Sequence, residues 1–186
     1  MGNRLTSITT RGGDKGETGL AGGRRLAKDD PRIETIGTVD ELNCWVGLLR
    51  CHLEPADILN HLLEEVQQQL FELGGELASE GDPRVSEPMV AMLEAALEEL
   101  NAPLPPLRNF VLPAGTQGSA TAHLARAVCR RAERRLVSLG RAEPVNVQSQ
   151  VYLNRLSDLL FVIARVVARQ ASEREVQWGV DREQDG

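Results

Sequence analysis

From Pro31 onward the apolar residues of this chain return at spacings of three and four, the period of one face of an α-helix. Ile36, Val39, Leu42, Val46, Leu49 and Leu53 form one such stripe, which predicts an amphipathic helix ending near Pro55. Asp57 can cap a second helix, with Leu59, Leu62, Leu63, Val66, Leu70, Leu73 and Leu77 on its apolar face and a stop around Gly81, Asp82 and Pro83. A third starts at Ser86, carries Glu87 and Pro88 in its first turn, and turns Val90, Leu93, Leu97 and Leu100 inward. Residues 101–118 hold four prolines and read as a connection, because proline removes a backbone donor and clashes with the preceding turn. A fourth helix is predicted over about 119–139 and a fifth over about 146–172, the latter marked by Val151, Leu156, Leu159, Leu160, Ile163, Val166 and Val167. No segment alternates convincingly with the period of a strand, and no internal repeat is present. The expected fold is all-α, a five-helix up-and-down bundle. At 186 residues, 41% of them apolar, one domain can bury a substantial core without staples.

Composition narrows the function. No apolar run approaches the roughly eighteen residues needed to cross a bilayer, and the first ten residues lack the apolar centre of a signal peptide, so the expectation is a cytoplasmic protein without membrane partners. The three cysteines form no CxxC pair. Cys44 and Cys51 fall in one predicted helix about 10 Å apart along its axis, too far for a disulfide, and all three are read as reduced thiols filling core. A net charge of −6 argues against nucleic acid. The basic residues are unevenly placed, however. The only two lysines, Lys15 and Lys28, lie in or just after a glycine-rich segment, and five arginines cluster within residues 126–135. Two local basic sites on an acidic chain suit a small anionic ligand better than a polyanion.

Residues 12–23 contain six glycines, too many for a helix or an ordinary strand. Such a loop can turn its backbone N–H groups around phosphate oxygens, with Lys15 as a point charge, or it can be a flexible arm. It is not a Walker A loop, since Lys15 is followed by Gly16, and it follows no predicted strand as a dinucleotide fingerprint would. In the fourth helix Arg126, Arg130 and Glu133 share one narrow face, opposite Leu124, Val128, Ala132, Leu136 and Leu139. That face is either solvated, with an Arg130–Glu133 pair worth a few tenths of a kcal/mol at most, or an anion site built from guanidinium forks. Asn154, Arg155, Ser157 and Asp158 interrupt the apolar fifth helix after Tyr152, as a site or polar network would. Asp40 and Asn43 lie off the apolar stripe of the first helix, which assigns them solvent or a second subunit.

Taken in order, TRGGDKGETGL, GTVDELN, FVLPAGT, ARAVCRRAERR and VYLNRLSDLLF resemble the successive signatures of the PduO-type ATP:cob(I)alamin adenosyltransferases, across residues 9 to about 165. The resemblance implies a five-helix bundle with a glycine-rich N-terminal loop, assembled as a homotrimer with active sites between subunits. Residues 1–30 then form the ATP-binding segment, 31–172 the bundle and 173–186 a mobile tail. Thr10, Arg11, Gly12, Gly13, Thr18, Gly19 and Lys28 match the family's N-terminal ATP-binding segment, with Asp14 and Lys15 inside the same motif; Gly12 stands where many members have threonine. Arg130, Glu133, Arg134 and Asn154 match helical ATP contacts from the adjoining subunit, and Arg131 in the same cluster is taken as cofactor-binding. Asp40 and Arg126 match an intersubunit ion pair, and Phe110 an aromatic residue that crowds the lower face of the corrin.

The implied activity is transfer of the 5′-deoxyadenosyl group of ATP, with Mg²⁺, to cob(I)alamin, releasing triphosphate. The catalytic residues are expected to be Arg130, on the leaving triphosphate, and Phe110, in the reduction step. A flavoprotein reductase and an adenosylcobalamin-dependent enzyme are candidate partners; the sequence names no metal ligands. The competing reading is a non-catalytic ATP-binding cobalamin carrier or regulator built on the same bundle.

Overall fold

The computed structural model describes residues 9, 11–79, 82–171 and 175–179. Two short strands, β1 (Glu17–Gly19) and β2 (Arg25–Ala27), precede five helices: α1 (Pro31–Arg50), α2 (Ile58–Ser79), α3 (Glu87–Asn101), α4 (Gln117–Gly140) and α5 (Val147–Gln170). Most helix starts are set by a side chain that accepts an otherwise orphaned backbone N–H. Asp30 accepts from Arg32 N with Pro31 behind it, Asp57 from Leu59 N, Thr116 from Ser119 N and Asn146 from Gln148 N. Ser86 sits at the start of α3 without such a bond.

Helix α4 is the middle of the bundle. It packs against both α1 and α5, while α2 packs on α1 and α3 on α5. Only α1–α2 and α4–α5 are therefore neighbours in the chain and side by side in space. The residues of α4 account for its place: Ala122, Ala125, Cys129 and Ala132 are fully buried, and small side chains let two helices approach one axis. Larger side chains close the remaining space. Leu42, Val46, Leu49, Leu63, Val66, Leu93, Leu136, Tyr152, Leu153, Leu156 and Ile163 are all at 0% exposure. Each such leucine contributes roughly 1.5–3 kcal/mol of burial free energy.

Several sequence expectations change in three dimensions. A strand pair is present. β1 and β2 are antiparallel, with Thr18 opposite Leu26, and their three-residue length and glycine content leave no alternation to read. Helix α1 ends at Arg50, earlier than Pro55, and tighter turns through His52 and Leu53, whose N–H groups donate to Leu49 O and Arg50 O, carry the chain onward. Asn43 is buried, not turned to solvent or a second subunit: its Nδ2 donates to Gln67 O, and Gln67 Nε2 donates to Asn43 O, stitching α1 to α2. Leu124, expected on the core face of α4, is 48% exposed. Cys129 is buried, but Cys44 and Cys51 are exposed, and all three are free thiols.

Two adjacent buried polar hubs fix one end of the bundle. Glu76 on α2 accepts from Arg84 N and Val85 N, from Asn146 Nδ2 and from Ser149 Oγ, so one carboxylate ties the α2–α3 link to the start of α5. Arg32 donates to Leu77 O at 2.7 Å and pairs with Glu143 at 2.9 Å, joining α1, α2 and the α4–α5 link. Of the tail expected to be mobile, residues 175–179 are described, and they are docked: Glu175 pairs with Arg165 at 2.5 Å and both are nearly buried. Among the described residues no helix is long and apolar enough to cross a membrane.

Candidate functional site

The glycine-rich segment folds as a small hairpin laid on the bundle. Leu20 N donates to Arg24 O and Gly23 N to Leu20 O, closing the turn, with Gly23 at φ 86° where an L side chain would be strained. Buried Leu20 and the bond from Ala21 N to Ala78 O anchor the turn to the end of α2. Below it, Gly16 (φ 81°) lets Lys28 N reach Gly16 O at 2.8 Å. The Lys28 side chain crosses over Gly13, where an added Cβ would lie 3.1 Å from Nζ. Arg25 donates to Gly12 O at 2.8 Å and pairs with Glu17, holding the loop's other limb. Thr10 lies outside the described residues. Arg11, Gly12, Asp14, Lys15 and Gly19 are exposed, Gly13 and Thr18 half-buried.

Between this hairpin, α1 and α4 lies a cleft of about 670 Å³. Thr18 and Lys28 line one wall, Glu34, Gly37, Thr38 and Glu41 of α1 the floor, and Arg131 and Arg135 of α4 the other wall. Arg131 pairs with Glu41, and Arg135 with Glu34 at 3.3 Å. Three cations face two carboxylates, which leaves the cleft weakly positive. The sequence reading missed Glu34, Glu41 and Arg135 as site residues. The i, i+3, i+4, i+7 row 34–37–38–41, turned away from the apolar stripe of α1, is the signal that could have found the first two.

Arg130 lies on the other flank of α4. With Arg126 it lines a second cleft of about 360 Å³ together with Leu97, Asn101, Ser157, Asp158, Phe161 and Val162 of α3 and α5. Within one chain, then, Lys28 and Arg130 are not brought together; Arg131, one residue on, is the member of the cluster that reaches the hairpin cleft. Neither Arg130, Glu133 nor Arg134 has an ion-pair partner among the described residues, so the Arg130–Glu133 pair of the solvated-face reading is not formed. Asn154 is exposed on α5. Arg126 is half-buried with its Nε unpartnered, and burial, then the charge of Arg130, pulls its pKa below the ordinary guanidinium value. His123, one turn earlier, is held below the usual imidazole range by burial and then by Arg126, and its ring meets Phe161 edge-on at 6.0 Å. Unneutralised guanidinium groups on an exposed helix repel one another, and an anion relieves that repulsion.

Phe110 is 82% exposed, midway along the connection between α3 and α4. Asp40 is exposed on α1 and does not meet Arg126 within the chain. Among the described residues no three acidic, histidine or cysteine side chains gather as metal ligands.

Residues 8–167 match the family described as Cobalamin adenosyltransferase. Among curated proteins, the chain is 49% identical to the cobalamin adenosyltransferase of Cupriavidus metallidurans, over 98% of this chain and all of that one. It is 40% identical to the corrinoid adenosyltransferase of Bacillus subtilis, over 92% of this chain and 91% of that one. Among solved structures it resembles a variant PduO-type ATP:corrinoid adenosyltransferase from Lactobacillus reuteri complexed with cobalamin and ATP, with a TM-score of 0.87 and 36% identity over 93% of this chain and 99% of that one.

Proposed function

The chain belongs to the cobalamin adenosyltransferase family, and from that premise we propose how it works as an ATP:corrinoid adenosyltransferase. It transfers the 5′-deoxyadenosyl group of ATP to cob(I)alamin, releasing triphosphate and forming adenosylcobalamin, with ATP and cobalamin as its substrates. The observation that carries the site is the split of the α4 arginines: Arg131 and Arg135 enter the hairpin cleft, while Arg130 and Arg134 stand exposed and unneutralised.

Cob(I)alamin brings its own nucleophile, so the protein has no proton to remove and needs no general base. The cobalt–carbon bond forms as the carbon–oxygen bond to triphosphate breaks. The protein's task is to hold the ribose carbon in line and to stabilise the charge that leaves. Lys28 and Arg131, with the hairpin backbone from Arg11 to Gly19, hold the phosphates of ATP, to which Mg²⁺ is bound. The weak positive charge of that cleft is too little for a triphosphate by itself. Arg130, Arg134 and Asn154 of an adjoining copy complete it, with Glu133 in the same contact, in a cytoplasmic homotrimer. Residues 1–30 are the ATP-binding segment of this single domain. Phe110 crowds the lower corrin face, which removes an axial ligand from cob(II)alamin and eases its reduction.

The direct test is to mix the protein, MgATP and chemically reduced cobalamin, then measure adenosylcobalamin and triphosphate. Equal yields of the two support the reading, and nucleotide binding without either product would identify a carrier. Arg130→Ala should lower kcat by about a hundredfold, the usual effect of losing one preorganised charge donor, with cobalamin affinity nearly unchanged. Near-normal turnover would remove Arg130 from the mechanism.

A further inference from the structure

The two walls and the floor of the hairpin cleft come from different parts of the chain, and one buried side chain outside the cleft is bonded behind them. Arg32, in the first turn of α1, is 5% exposed and does not line the cleft. Its Nη1 donates to Leu77 O at 2.7 Å, in the last turn of α2. Its Nε and Nη2 meet the two oxygens of Glu143 at 3.3 and 2.9 Å, on the link that leaves α4. Arg24 of the hairpin lines a separate cleft of about 500 Å³ with Arg32, Leu77 and Glu143, which puts this cluster directly behind the hairpin.

Each bond bears on one side of the hairpin cleft. The last carbonyls of a helix have no partner inside it. In α2, Leu77 O accepts from Arg32 and Ala78 O from Ala21 N, so the guanidinium and the hairpin turn are seated on consecutive carbonyls. The helix dipole also favours a cation there. Gly74 and Gly75 precede this turn, and two residues of low helix propensity in succession leave its place to be set by what grips it. On the other side, Glu143 N donates to Leu139 O, which holds Glu143 to the last turn of α4, the helix of Arg131 and Arg135. Arg32 itself starts the helix that carries Glu34, Gly37, Thr38 and Glu41. A buried ion pair adds little net stability compared with apolar packing, which points to a role in fixing one arrangement.

We infer that Arg32 and Glu143 are positioning residues for the ATP cleft. They set how far Lys28 on the hairpin stands from Arg131 and Arg135 on α4, and they touch no part of the nucleotide. The inference rests on the reading of this cleft as the phosphate site. Loss of the pair therefore weakens ATP binding and leaves cobalamin binding alone.

Steady-state kinetics and amide exchange test it. Glu143→Gln keeps the shape of a partly exposed side chain and removes its charge. It should raise the KM for ATP about fivefold, because small displacements of positioned groups are costly, and leave the KM for cobalamin within about twofold. The Ala21 amide, bonded to Ala78 O, should exchange about tenfold faster as the hairpin turn opens more often. Arg32→Lys keeps the charge but loses the fork that spans Leu77 and Glu143, and should show the same split. If Arg32→Lys does not fold, Glu143→Gln decides the matter. A lower denaturant midpoint with both KM values parent-like would make the pair structural only, and an equal rise in both would mean general loosening; either result overturns the inference. Parent-like exchange at Ala21 would overturn the route through the hairpin. Lys28→Ala separates this from the underlying reading. If it raises the KM for ATP while Glu143→Gln and Arg32→Lys are parent-like, the positioning role alone is sunk. If Lys28→Ala keeps a parent-like KM for ATP, the phosphate site and the inference fall together.

Discussion

At Gly13 a Cβ would sit 3.1 Å from Lys28 Nζ, so an added methyl requires the lysine side chain to give way by a few tenths of an ångström. Gly13→Ala should push the ammonium off its position and cost about 1 kcal/mol of ATP binding, a roughly fivefold rise in the KM for ATP. An ATP titration that matches the parent would show that Lys28 does not need this approach. His123 makes a different prediction at the same scale. Burial and Arg126 depress its pKa, so the unfolded chain binds this proton more readily than the folded one. Its contribution is fully present above the unfolded value of about 6.5 and is lost as pH falls from there toward the lower folded value. Denaturant midpoints should therefore fall below about pH 6.5, and His123→Leu should flatten that fall. An equal fall in both proteins would assign it to other groups.

Among the elements, α4 carries the heaviest constraint, since α1 and α5 both close on it. Ala132 is fully buried where those helices meet. Ala132→Leu should overpack the middle of the bundle and cost about 1–3 kcal/mol, read as a lower denaturant midpoint with unchanged slope. No loss would mean that the neighbouring helices can part, against the packing seen here. The same helix distributes chemistry by rotation alone. One residue step is about 100°, so Arg130 faces α5 while Arg131 faces the hairpin. Counting arginines in the sequence found the cluster. It could not say that the cluster serves two clefts.

For the whole molecule, the proposed homotrimer pairs the unpartnered Arg126 Nε with the exposed Asp40 of a second copy. Reversing either charge alone should weaken the proposed trimer and lower activity, and the double swap, Asp40→Arg with Arg126→Asp, should restore both. Light scattering with parallel assays checks this; single variants that stay trimeric and active would refute the pairing. In the proposed trimer, a pair closed between subunits also offsets the crowding of Arg126 by Arg130.

The spacing of apolar residues determined the five helices and most of the core, and the Asp57 cap of α2 was legible beside it, because helix periodicity and capping are local properties. The ordered motifs determined the family, and with it the reaction. Only the tertiary structure decided that α4 lies in the middle, that the glycine segment pairs as a hairpin over Lys28, and that Asn43 joins α1 to α2. It alone brought Glu34, Glu41 and Arg135 into the hairpin cleft and seated Arg32 between Leu77 O and Glu143 behind it. Apart from the hairpin, whose strands lie only a few residues apart, each of these depends on contacts between residues far apart in the chain. Their side chains are satisfied by partners that no local pattern announces, and only the row 34–37–38–41 left a trace of them in the sequence spacing.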